Sequence, residues 1–136
     1  MFCGLLLDLG LARGSIDALL DNNIDKLFMP HGLGHFLGMD VHDVSPSGPV
    51  PEQLKPGHVV TCEPGIYFVD HMLQPAYENP KQKQLLDQNA VDSFRPFGGI
   101  RIEDNILILS EGNHNLTEAA GMVKSISEVE ENCSVE

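Results

Sequence analysis

The chain is short of positive charge. Its 8 lysines and arginines stand against 20 aspartates and glutamates in 136 residues, a formal net charge of -12. That balance excludes nucleic-acid backbones and anionic membrane surfaces as natural partners. Surplus carboxylates suit a chain that holds hard cations, and they equally suit plain solubility. Long apolar runs are also lacking: no stretch approaches the roughly 20 residues that cross a bilayer. The run Leu5–Leu7 near the amino end has no basic flank, which argues against a secretory signal. Cysteine is scarce, with only Cys3, Cys62 and Cys133, far apart and unpatterned. This excludes a disulfide framework and points to a reducing compartment, the cytoplasm. Asn115-Leu116-Thr117 matches a glycosylation acceptor, but with no secretory signal it reads as chance. Repeats and low-complexity segments are absent.

What is present fits one folded unit of α/β (α+β) class. Hydrophobic residues make up 42% of the chain, enough for a modest core. A helix is expected over residues 1–9, with nothing before Phe2 to cap it, as though the chain began inside an element once longer. Gly10–Gly14 breaks it. Ser15 is an N-cap for one helix ending before Pro30, with Ile16, Leu19, Leu20, Ile24 and Leu27 on a common face. Ser45–Gly57, with its prolines, is a loop. His58–Asp70 reads as two short strands, or one strand broken at Pro64-Gly65. Asn79-Pro80 opens a helix carrying Leu85, Leu86, Ala90, Val91 and Phe94. Phe97–Leu109 is the clearest strand, and Ser125 with Glu128 forms a capping box for a short acidic helix.

The chemistry gathers in three places. "PHGLGHFLGMDVHD", Pro30–Asp43, holds His31, His35 and His42. Gly32 and Gly34 free the backbone to approach a neighbour closely. Any one of these histidines is more simply a hydrogen-bonded core residue; three within twelve positions favour a shared task, metal binding first. Glu63 follows Val59 and Thr61 on one strand face. It reads equally as a ligand at a strand end or as the start of an exposed turn. In the stretch to Leu109, Arg101 and Glu103 share a face with Leu107 and Leu109, so that face is expected to be covered. A covered acid needs a partner or a metal. Taken by itself, Glu103 is better explained by pairing with Arg101 or a cross-sheet neighbour. One imidazole with several carboxylates suits a hard ion such as manganese or a paired-metal site.

At these motifs the sequence resembles the Xaa-Pro dipeptidases (prolidases), within the pita-bread metallopeptidases. "FMPHGLGHFLGMDVHDV", "EPGIYFVDHML" and "FRPFGGIRIEDNILI" stand in the family's order, and the likeness runs from about Leu9 to about Ile108. The resemblance implies a partial pita-bread (creatinase/aminopeptidase-like) fold, a mixed, largely antiparallel sheet flanked by helices. It implies two metal ions, usually manganese, held by five ligands. Three of those match here: His35, Glu63 and Glu103. It further implies that Glu103 bridges both ions, Glu63 serves the catalytic water, His42 contacts substrate and steadies the tetrahedral intermediate, His31 lines the substrate site, and Arg101 supports the ligands. The implied reaction is hydrolysis of dipeptides ending in proline.

Two further ligands of the family, both aspartates, would precede Met1, and Asp8 and Asp17 match neither. The joining segment Ser45–Gln53 is short and carries no arginine to hold a substrate carboxylate. Residues 1–136 are therefore expected to be the carboxyl-terminal part of one catalytic domain, without an amino-terminal domain or the upstream half of the catalytic domain. At most one ion is expected, and little or no activity from this chain unaided. A homodimer, or pairing with a full-length homologue, is a second expectation. The alternatives are a non-catalytic interaction or regulatory protein, and a simple metal-binding module.

Overall fold

The computed structural model describes residues 2–44 and 53–134. In chain order the elements are α1 (Phe2–Asp8), α2 (Ile16–Asp21), α3 (Ile24–Phe28), β1 (Val59–Cys62), β2 (Gly65–Tyr67), α4 (Asp70–Glu78), α5 (Pro80–Lys83) and α6 (Gln88–Phe94). After a 3-10 turn at Arg95–Phe97 come β3 (Gly99–Arg101), β4 (Asp104–Ile108), β5 (Asn113–Asn115), α7 (Leu116–Ala119) and α8 (Ile126–Cys133). The expected class holds: antiparallel strands with flanking helices. The proline-rich loop expected from Ser45 lies, up to position 52, outside the described residues. Contacts group the chain into two compact units, Met1–Gly32 with Gly65–Arg101 and Leu33–Pro64 with Ile102–Glu136.

The first unit is helical and owns the apolar core. Leu6, Leu11, Leu19, Ile24, Phe28, Leu73 and Val91 are all fully buried in it. Phe28 meets Phe68 edge to face at 5.8 Å, and Phe68 stacks on Phe94 at 5.3 Å. The single helix expected after Ser15 is in fact two. Ser15 caps α2 by accepting from the Ala18 amide, but Asn23 adopts a left-handed conformation (φ 52°) and ends the run. Asparagine tolerates that conformation better than most residues. The break leaves Ile16 and Leu20 about half exposed and turns Leu19, Ile24 and Leu27 inward. The helix expected from Pro80 is likewise two, because Leu85 and Leu86 bury themselves between α5 and α6 and Asp87 caps the second. Between Ala12 and Leu86 the chain forms an antiparallel bridge, which Arg13 and Asp87 extend with a 2.7 Å ion pair.

Helix α4 has no counterpart in the sequence reading, since Pro75 lies inside it. Proline removes one helical hydrogen bond, and here Leu73, Ala76 and Tyr77 are buried along the same helix. Desolvation, and then the carboxylate of Asp92, push the Tyr77 phenol up to about 12. Strands β2 and β3 form a two-stranded sheet with Ile66 opposite Ile100.

The second unit is a three-stranded sheet in the order β1-β4-β5, antiparallel throughout. The long strand expected over Phe97–Leu109 is therefore two strands. It breaks at Ile102-Glu103, and β3 and β4 pair with different partners. The segment Leu33–Leu37 lines the other edge of β1. The amides of Leu37, Thr61 and Glu63 donate to the carbonyls of Val59, His35 and Leu33 at 2.8–3.0 Å. Gly34 makes this approach possible, because a Cβ there would fall 1.9 Å from the Thr61 carbonyl oxygen. Past the sheet, Asn115 caps α7 by accepting from the Glu118 amide, and the Ser125–Glu128 capping box of α8 forms as expected.

Candidate metal centre

Within the second unit, alternation along β1 and its register with β4 sort the side chains onto two faces. Val60 and Cys62 face with Ile106 and Asp104; Thr61 faces with Asn105. Glu63 belongs with Thr61, whose hydroxyl donates to Glu63 Oε1 at 2.9 Å. Glu63 is only 6% exposed, so of its two sequence readings the exposed turn is excluded. The segment beside β1 brings in His35, and the chain entering β4 brings in Glu103. One ligand-type atom from each of His35, Glu63 and Glu103 lies within 4.8 Å of the others. Glu103 is exposed, and Leu109 is 42% exposed, so the covered face expected for them is not formed. The run of alternating residues that predicted it is interrupted before β4 begins.

The orientation of His35 is decisive for its chemistry. Its Nδ1 lies 2.9 Å from the Phe36 carbonyl oxygen, an acceptor only, so Nδ1 carries the proton of the neutral ring. In that form Nε2 is a lone pair facing Glu63 Oε1 at 3.1 Å, and in the charged ring it donates to that oxygen. A lone pair facing a carboxylate is repulsive until a cation or proton lies between them. Backbone anchoring of the other ring nitrogen is the usual support of a metal-bound histidine. Two carboxylates and one imidazole in this setting fit a divalent cation.

Of the three histidines, His35 and His42 lie in the second unit and His31 in the first. His42 is exposed, and its ring meets that of His35 edge to face at 4.4 Å. The two sit at either end of a loop that the Phe36–Asp43 bridge closes. His31 belongs to the first unit. Its Nδ1 donates to the Gly32 carbonyl at 2.7 Å, and its Nε2 lies 2.8 Å from the Tyr67 hydroxyl. Arg101 ends β3 in the same unit and is exposed. Sequence reasoning missed the part of Thr61, which touches both His35 and Glu63, and, in the first unit, the bond between Tyr67 and His31. Thr61 shared a face with Glu63 in the sequence; nothing there linked Tyr67 to His31.

Among the described residues of the second unit, two cavities open. The smaller, about 390 Å³, is lined by Glu103, Asn105 and Thr117. The larger, about 970 Å³, is lined by Val60, Cys62, Ile106 and Ile108, with Gly34 and His35 among its walls. It lies mainly on the face away from Glu63, and most of its surface is apolar.

The model of metallopeptidase family M24 matches residues 7–110. The chain belongs to this family. Among curated proteins it is 42% identical over 135 residues to the Xaa-Pro dipeptidase of Rattus norvegicus, covering 87% of this chain and 27% of that protein. It is 41% identical over 137 residues to a probable Xaa-Pro aminopeptidase, pepP, of Emericella nidulans, with 92% and 29% covered. Among solved structures it resembles E. coli aminopeptidase P with the inhibitor Pro-Leu, at 38% identity and a TM-score of 0.66, over 96% of this chain and 26% of that one. The expected pita-bread relationship therefore stands, and the chain spans about a quarter of the length of these relatives. M24 metallopeptidases use divalent metal ions, which agrees with the donor set of His35, Glu63 and Glu103. Among the described residues no helix is long and apolar enough to cross a membrane.

Proposed function

We propose that this M24 chain carries a partial metal centre for hydrolysing the bond before proline in Xaa-Pro dipeptides, with weak turnover at most when the chain acts unaided. The observation that carries the reading is the convergence of His35, Glu63 and Glu103, with His35 Nε2 turned inward by the bond from Nδ1 to Phe36. These three would hold one divalent ion, and the preponderance of carboxylate favours manganese. Such an ion lowers the pKa of water and polarises a carbonyl. Glu63 takes the proton of the attacking water, and Glu103 is the second carboxylate of the ligand set. His42, exposed beside His35, donates to the developing oxyanion and to substrate. The roles of His31 in substrate binding and of Arg101 in supporting the ligands rest on family resemblance. A cytoplasmic location belongs to the same reading and rests on the scarce, unpatterned cysteines of the sequence.

The test is release of proline from Gly-Pro with added manganese, run beside Glu103→Ala and His35→Ala. Slow turnover and metal uptake in the wild type, both lost in the variants, are expected. Uptake that survives both substitutions overturns the site.

A second reading, a non-catalytic protein pairing with a full-length homologue, draws support from the apolar lining of the 970 Å³ cleft. Stable association with a full-length relative and no turnover would favour it.

A further inference from the structure

Thr61 is the buried polar residue that touches two members of the ligand set at once. It is 5% exposed and sits in the middle of β1. Its hydroxyl oxygen accepts the His35 amide hydrogen at 2.9 Å. Its single proton has two acceptors in view, Glu63 Oε1 at 2.9 Å and the His35 carbonyl at 3.4 Å. The His35 carbonyl is already engaged by the Thr61 amide at 2.8 Å. The shorter bond to a carboxylate is also the stronger one, so the proton goes to Glu63.

We infer that Thr61 is a positioning residue: one hydroxyl fixes the backbone that presents His35 and, at the same time, the rotation of the Glu63 carboxylate. The inference rests on reading His35, Glu63 and Glu103 as metal ligands. With Oε1 tied to Thr61, the carboxylate of Glu63 loses its freedom to turn about its last bond. The main chain of His35 is pinned to β1 through the same oxygen. The ligand pair is thus set before any ion arrives, and the entropy of ordering it is spent during folding. Gly34 belongs to the same device, since its missing side chain leaves the Thr61 carbonyl room against residues 33–35.

The proposal reverses the order expected from packing. For a Thr61 that matters only through its packed volume, valine, which keeps the shape, should be the milder change and serine the worse. For a positioning Thr61, serine keeps the hydroxyl and valine loses it. The experiment is cobalt titration of the whole chain, following visible absorption for affinity and ligand geometry, with thermal melting of each metal-free variant in parallel. Wild type is expected to bind. Thr61→Val should bind about 10- to 100-fold more weakly, the usual effect of removing a ligand's orienting partner, with an altered cobalt spectrum. Thr61→Ser should stay within a few-fold of wild type even where it melts lower than valine. Valine binding cobalt like wild type, or serine losing as much as valine, overturns the inference while leaving the metal site intact. A wild-type chain that takes up no cobalt overturns the site itself, and the inference with it. Should the valine variant not fold, Thr61→Ala, which loses the hydroxyl and adds no metal-binding atom, replaces it with the same expectation.

Discussion

In the unit built from Met1–Gly32 and Gly65–Arg101, Leu6, Leu19, Phe28 and Leu73 have no contact with solvent. In the unit that carries His35, Glu63 and Glu103, the buried residues among those described are a threonine and a glutamate. The five residues of β4 are all half-buried. One unit is held by apolar burial, the other by strand pairing and by hydrogen bonds that converge on its ligands. The apolar core and the candidate metal site are thus housed in different parts of the chain. An ion bound at the candidate site would stabilise the unit that has little apolar burial of its own.

That contrast can be broken most forcefully in the core. Phe28→Ala should destabilise the chain by about 3–5 kcal/mol in urea unfolding, whereas Ile106→Ala, at a half-buried site, should cost well under half as much. Equal costs would erase the distinction. Next in size is metal. Manganese at a hundredfold excess over its dissociation constant should add about 2.7 kcal/mol. Amide exchange should show that protection appearing in β1 and β4 and not in α1–α3. Protection spread evenly over both units would contradict the comparison. Gly34→Ala should cost roughly 1–3 kcal/mol through overpacking, because the new Cβ meets the Thr61 carbonyl, and it should reduce metal uptake as well. Normal uptake would show that residues 33–35 need not lie against β1.

The smallest effect concerns α8. The Ser125 hydroxyl holds the Glu128 carboxyl below its ordinary range. A carboxyl depressed in the folded state contributes stability above its unfolded pKa. That contribution is lost as pH falls through the lowered folded value. Amide shifts of residues 126–133 should therefore report fraying in acid, sooner in Ser125→Ala, with no change in global melting. Coincident global unfolding would tie α8 to the core.

Local signals were legible in the sequence. Ser15 and Ser125 with Glu128 cap their helices through bonds to amides three residues on, so neighbouring residues suffice to specify them; Asp87 caps α6 in the same way, at a place where one unbroken helix was expected. The three candidate metal-ligand positions, His35, Glu63 and Glu103, were also marked by residue type and motif. Breaks within regular patterns were not legible. Phe97–Leu109 reads as one strand, yet β3 and β4 have different partners, and pairing with β2 and β1 decides where one ends and the other begins. Helix α4 was hidden by Pro75, whose penalty is offset by burial that no local pattern reports. The bond between His31 and Tyr67 spans 36 positions. Thr61 stood in plain view beside Glu63, but its bond to the His35 amide depends on a segment folding back from 26 positions away.

The edge-to-face meeting of His35 and His42, at 4.4 Å and 78°, has a spectroscopic consequence. An edge proton of one imidazole lies over the circulating electrons of the other, which displace its resonance upfield of an ordinary histidine signal. Any event that tilts either ring, an ion on one or a peptide against the other, must shift that line. The chain thus carries its own magnetic label, at the place where occupancy would first be felt.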